Sequence, residues 1–186
     1  MENWERHYLS RDVIEQTPAP VLIEHTHLLP ASAKVLDYAC GLAANGCWLA
    51  HQGYAVTAWD SSNVAVSKVN QYAEQFSIDI HAEVRDLEIN PPRKAEFDVV
   101  IVSHFLHRPS LHQLMAILNP GGLLFYQTFC GERLHDGPSN ADFRLQPGEL
   151  LRVFADLKLL FYREDGATGN LTAGCRDQAL FIGQKV

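Results

Sequence analysis

The chain has 186 residues, 47% of them hydrophobic, and a formal net charge of -7. That length supports one domain with a substantial core, while the acidic balance and the lack of any basic run argue against a sequence-independent grip on nucleic acid phosphates. No apolar run approaches the roughly 20 residues of a membrane span, the charged stretch Met1–Asp12 is unlike a signal peptide, and Cys40, Cys47, Cys130 and Cys175 form no C-x-x-C pair. A reduced, cytoplasmic protein is therefore expected, with neither membrane nor nucleic acid as partner.

In chain order, Trp4, Tyr8 and Leu9 recur at helical spacing, and Pro18 and Pro20 interrupt before a second apolar patch, Val21 to Leu29. Two short helices are predicted there. Lys34 to Gly53 then reads as strand, tight loop and helix: Val35, Leu36, Tyr38 and Ala39 around Asp37, a turn opened by Gly41, and an Ala-rich helix from Ala43 to His51 that Gly53 ends. Tyr54 to Trp59 is a second buried strand closing on Asp60. The unit is βαβ, and in such a unit the ligand lies outside the carboxyl ends of the strands, where an acid ending the second strand takes two ribose hydroxyls. Asp60 stands in that place. Its separation from Gly41 is about the 20 residues of dinucleotide sites too, so spacing alone does not name the cofactor.

Ser61 or Ser62 caps a helix whose face carries Ala65, Val69, Tyr72 and Phe76. Ile78 to Val84 is a third strand ending in Arg85, Asp86, Leu87 and Glu88; an Asp there is in general a turn or helix cap. Phe97 to Val102 is a near-continuous apolar run suited to a central strand, followed at its carboxyl end by Ser103, His104 and His107, where the switch-point crevice of such sheets opens. The two histidines lack acidic or Cys partners at ligand spacing, so no metal site is expected. Pro109 and Ser110 start a helix through Leu118 that Asn119–Gly122 stops, and Leu123 to Phe129 is a fifth strand. Cys130 to Gln146 is a long polar loop, Pro147 opens a helix through Phe154, and Leu157 to Tyr162 and Gln178 to Lys185 are the closing strands.

VLDYACGLA, with Asp37 four residues before Gly41, resembles the D-x-G-x-G-x-G loop of class I S-adenosylmethionine methyltransferases, in the D-x-A-C-G variant of the small tellurite-resistance-type group. The early segment with Trp4, Arg6 and Tyr8, W-x-R-x-Y, the run from FDVV through L-x-P-G-G into LLFYQTF, and GPSNADFRLQPGEL are similar to the same group. The resemblance implies a Rossmann-like fold with a seven-stranded, mostly parallel sheet, one antiparallel strand, and helices on both faces. It divides a single domain, 1-186, into an N-terminal helical lid (1-30), a cofactor-binding half (34-129) and a substrate-side loop with closing strands (130-186). It places Asp37, Ala39 and Gly41 at the methionine end of S-adenosyl-L-methionine, Asp60 and Ser61 at the ribose, Asp86 and Leu87 at the adenine, and Ser103 beside the reacting sulfur. Arg6, Tyr8 and Arg11 of the lid, with His107 and with Arg133, Asn140 and Arg144 of the long loop, become candidate contacts to substrate. On the residues alone Arg6 and Tyr8 are equally a surface Arg and a core Tyr of an amphipathic helix.

Ala39 and Ala43 depart from the family pattern, and glycine's usual monopoly of positive φ predicts that neither residue adopts it. The same alanines weigh against a tight pyrophosphate turn. The reaction expected is methyl transfer to a small-molecule acceptor: a soft chalcogen or thiolate needs no base, whereas an oxygen or nitrogen acceptor needs one, for which His104 and Tyr126 are the candidates. Two alternatives stand beside it, a nicotinamide-dependent reductase on the same type of sheet and a non-catalytic cofactor-binding partner subunit.

Overall fold

The structure, a computed structural model, describes residues 2–14, 16–92 and 94–186. Seven strands, β1 (Lys34–Tyr38), β2 (Ala55–Asp60), β3 (Ile80–Val84), β4 (Phe97–Ser103), β5 (Leu118–Phe129), β6 (Lys158–Glu164) and β7 (Gln178–Gln184), form one sheet in the order β3-β2-β1-β4-β5-β7-β6. The first five run parallel, and β7 lies antiparallel between β5 and β6. The expected mixed seven-stranded fold is what forms. The order reverses at β1 and β4, so the crevice opens at their carboxyl ends, beside Asp37, Asp60 and His104.

Alternation along the strands divides the core in two. Val35, Val56, Ala58, Val99, Ile101 and Phe125 face one side, packed against α2 (Pro20–Ile23), α3 (Ala44–His51) and α4 (Asn63–Phe76). Leu36, Tyr38, Val100, Val102, Leu124 and Tyr126 face the other, against α5 (Gln113–Ile117) and α6 (Glu149–Val153). The remaining helix, α1 (Glu2–Leu9), rests on α4. Because both faces are covered, the central strands need continuous apolar runs, the pattern of FDVVIV.

Local chemistry sets the element ends. Ser62 caps α4 by accepting from the Ala65 N–H at 3.2 Å, and Gly53, at φ +91°, follows the end of α3. Three boundaries differ from expectation. The predicted Val21–Leu29 helix is one α turn and then a 3-10 turn at Thr26–Leu28. The helix predicted from Pro109 shrinks to Gln113–Ile117, because Leu118 pairs with Phe97 and draws Asn119–Gly122 into β5. Pro147 precedes α6 instead of opening it, since Gly148, left-handed at φ +66°, takes the cap position. Among the described residues no helix is long and apolar enough to cross a membrane.

Candidate cofactor and acceptor cleft

The loop after β1 alternates in handedness: Ala39, Gly41 and Ala43 all have positive φ, at 53°, 55° and 52°. This corrects the expectation that the two alanines forbid it. A left-handed alanine costs about 1–2 kcal/mol. The cost is offset by a full set of hydrogen bonds around the turn: Cys40 N–H to Trp59 O at 2.9 Å, Gly41 N–H to Asp60 Oδ2 at 2.8 Å, Ala43 N–H to Cys40 O at 2.8 Å, and Gly46 N–H to Asp37 Oδ2 at 2.8 Å. The Ala43 side chain is also fully buried.

Above this loop lies a cleft of about 270 Å³. Ala39 lines its floor, with Asp60 and Ser61 from the end of β2, and Arg85 through Glu88 after β3 form one wall. His104, Phe105 and Leu106 after β4 form the opposite wall, while Trp4 and Tyr8 of α1 and Phe143 of the long loop close the rim. Asp60 is only 7% exposed, and burial raises its pKa against the pull of the Ser62, Gly41 and Ser61 N–H groups. Its two oxygens accept Gly41 N–H and Ser62 N–H, at 2.8 and 2.9 Å. A carboxylate has about four acceptor sites, so it retains capacity to accept from a ribose hydroxyl. Asp86 does what an acid after a strand ordinarily does, Oδ1 capping the Glu88 and Ile89 N–H groups at 3.1 and 3.2 Å, yet it also lines the cleft with Leu87. Arg85 lays its guanidinium 4.2 Å from the Trp59 ring centroid and donates its backbone N–H to Asp60 O.

His104, like Ala39, lines the cleft with a left-handed backbone. Its φ is +54°, its N–H donates to Gln127 O at 2.9 Å, and its ring lies 5.1 Å from that of Phe129. Burial lowers its pKa, with Gln178 opposing part of the shift, so the imidazole is neutral at physiological pH.

Several predicted residues stand elsewhere. Asp37 is fully buried beneath the loop; it holds α3 through Gly46 N–H and Asn45 Nδ2, at 2.8 and 3.5 Å, and burial pushes its pKa up to about 7. It shapes the loop without lining the cleft. Gly41 is covered by Tyr8, whose hydroxyl would stand 2.7 Å from a Cβ built there. Ser103 accepts from Asn45 Nδ2 at 3.0 Å behind the cleft wall. Tyr126 is fully buried on the α5 and α6 side, donates to Phe105 O at 2.6 Å, and has its pKa raised by burial, all of which removes it as a base. His107 turns to Ser110 Oγ at 2.8 Å, and Arg6 is exposed outside the cleft lining. Arg144, 3% exposed, donates to the carbonyls of Gly131 and Cys130 at 2.7 and 3.0 Å and to Asp177 Oδ1 at 2.6 Å, so it pins its loop internally and leaves substrate to other groups. Asn140 caps the Asp142 N–H at 2.9 Å, and Arg133 is absent from the cleft lining. Asn45, Gln127, Arg85 and Phe143 were missed; the one legible signal was an amide amid apolar neighbours at Asn45 and Gln127.

A family model described as a methyltransferase domain matches residues 35–122. The ubiquinone biosynthesis O-methyltransferase of Azotobacter vinelandii is 30% identical over 191 residues, covering 98% of this chain and 79% of that one. This chain belongs to the class I S-adenosylmethionine-dependent methyltransferases. It is also 27% identical over 141 residues to the probable S-adenosyl-L-methionine-dependent methyltransferase TehB of Haemophilus influenzae, and the match takes in 71% of this chain and 48% of that relative's length. The crystal structure of H. influenzae TehB superposes with a TM-score of 0.75 at 20% identity, covering 98% of this chain and 67% of that one. A TehB-like enzyme from Corynebacterium glutamicum gives 0.65 at 19%, covering 100% and 97%.

The methyltransferase's cofactor is S-adenosyl-L-methionine. The residues present suit that nucleoside: a buried carboxylate with a spare acceptor site at Asp60, a small side chain at Ala39 on the cleft lining, and the apolar side chains of Leu87 and Phe105 beside it. The nicotinamide alternative falls with the family assignment and not with the alanines, whose backbone is left-handed after all.

Proposed function

We propose that this methyltransferase acts on a small-molecule acceptor carrying a protic oxygen or nitrogen, which meets the cofactor at the His104 end of the cleft. The bound sulfonium supplies an electrophilic methyl, so the protein's task is alignment and exclusion of water. Asp60 and Ser61 hold the ribose, Asp86 and Leu87 the adenine, and Ala39 the methionine end. Trp4, Phe105, Leu106 and Phe143 exclude water from the acceptor, and His104 accepts its proton.

The observation that carries this reading is a solvent-accessible imidazole lining the cleft on a left-handed backbone, an arrangement found disproportionately at functional residues. Likeness to a ubiquinone biosynthesis O-methyltransferase supports an oxygen acceptor. The four cysteines, all unpaired, support a reducing compartment such as the cytoplasm. His104→Ala, assayed against phenolic, thiol and tellurite acceptors across pH, tests the proposal. A base predicts a loss of about 10²–10⁴-fold in kcat with the phenol at neutral pH, recovering as the phenol ionises. An undiminished rate at every pH would remove the base and move the acceptor to the soft chalcogens and thiolates.

A further inference from the structure

The segment ahead of β1 is held at two places by different chemistry. Nearer the sheet, two buried amides fix it: Ala19 N–H donates to Asn45 Oδ1 at 2.8 Å, and Val21 N–H donates to Gln127 Oε1 at 2.9 Å. Upstream, α1 lies on α4 through a reciprocal pair of charges. The Glu5 carboxylate accepts the N–H groups of Asn63 and Val64 at 2.9 and 3.1 Å and the hydroxyl of Ser62 at 2.9 Å. Those are first-turn donors of a 14-residue helix, where the helix dipole favours an anion. In return the Lys68 ammonium donates to the carbonyls of Tyr8, Leu9 and Arg11 at 2.9, 3.1 and 2.5 Å, at the end of α1 that favours a cation.

An isolated helix of eight residues does not persist in water. Trp4 and Leu9 are more than half exposed, at 53% and 64%, so little apolar burial replaces the charges. The order of α1 therefore depends on this clasp. The clasp is also joined to the site. Ser62 bonds Glu5 through its hydroxyl and Asp60 Oδ1 through its N–H, and Asp60 Oδ2 takes the N–H of Gly41. From α1, Tyr8 stands on Gly41 and Trp4 on the rim of the cleft.

We propose that α1 is a hinged roof over the cofactor, held shut by Glu5 on the start of α4 and Lys68 on the end of α1, and that opening this clasp sets the rate at which the nucleoside leaves. Ala19 and Val21, pinned by Asn45 and Gln127, are the fixed side of the hinge. Glu5 and Lys68 lie outside the cleft lining, so they are positioning residues. The proposal rests on the cleft's being the cofactor site.

The test uses the full chain with S-adenosylhomocysteine as probe, in stopped-flow dissociation and in hydrogen exchange of the bound form. Glu5→Ala and Lys68→Met should each speed dissociation by about tenfold, the scale of a lost charged hydrogen bond, with the association rate constant undiminished and faster amide exchange across residues 2–12. The double variant should release the probe no faster than about the worse single one, because both open the same roof. Glu5→Ala also leaves the first-turn N–H groups of Asn63 and Val64 without their acceptor, so Lys68→Met, which leaves the start of α4 intact, is the deciding variant. Unchanged release from Lys68→Met, alongside tight binding by the wild type, overturns the roof alone. A wild type with no affinity for the probe overturns the cofactor site and the roof together.

Discussion

Gly41→Ala isolates why one position of the loop is glycine while its neighbours at the same φ are alanine. All three residues are left-handed, so the handedness by itself does not demand glycine. What distinguishes Gly41 is Tyr8: an added Cβ would lie 2.7 Å from the hydroxyl, 3.2 Å from Cζ and 3.3 Å from Cε1. The left-handed backbone costs about 1–2 kcal/mol, and forcing a methyl into a packed site costs about 1–3 kcal/mol more, unless Tyr8 swings out and takes α1 with it. Tyr8→Phe removes the closest atom and leaves contacts that yield by a few tenths of an ångström. The double-mutant cycle therefore predicts a coupling of at least about 0.5 kcal/mol, with Gly41→Ala losing less stability, and less affinity for S-adenosylhomocysteine, in the Tyr8→Phe background. Urea denaturation and calorimetric titration of the four proteins measure it. Additive effects would refute the steric account and leave backbone strain as the whole cost.

Asp37 is buried with its pKa pushed up to about 7, far above the ordinary carboxylate value of about 3.9. Its contribution is fully present below about pH 4 and is lost as pH rises through about 7; Asp37→Asn should flatten the fall in stability over that window, and parallel curves for variant and wild type from pH 4 to 8 would show that the carboxyl is ionised throughout. Arg144→Met leaves Asp177 buried without its partner, a loss of about 3–5 kcal/mol, and should open residues 131–143 to proteolysis; an unchanged cleavage pattern would count against Arg144 as the loop's pin. Burial raises the Asp177 pKa, but three backbone N–H groups and Arg144 outweigh it and bring it down to about 2. The stability this supplies is present above about pH 4 and is lost as pH falls through about 2, so exchange in the loop should rise in acid before exchange in the central strands.

The sequence by itself determined the sheet, because a strand buried on both faces must be apolar throughout and a helix lying on it must repeat near 3.6 residues; FDVVIV and the Ala65–Phe76 face carry those periods. Asp60 followed from where the second strand ends, while Asp86 and Leu87 were placed by the resemblance alone; all three line the cleft. Only the tertiary structure decided what each polar side chain faces. Asp37, Arg144 and Tyr126 are the same residue types whether they meet a ligand or a buried carbonyl, and a different chain element supplies each partner: Gly46 for Asp37, Asp177 for Arg144, Phe105 for Tyr126. The left-handed alanines were illegible for a related reason, because local sterics oppose them and a hydrogen-bonded turn, closed partly by Asp60 and Trp59 of the neighbouring strand, overrides the opposition. Periodicity is local and survives in the chain; partnership is non-local, and it exists only after the strands have come together.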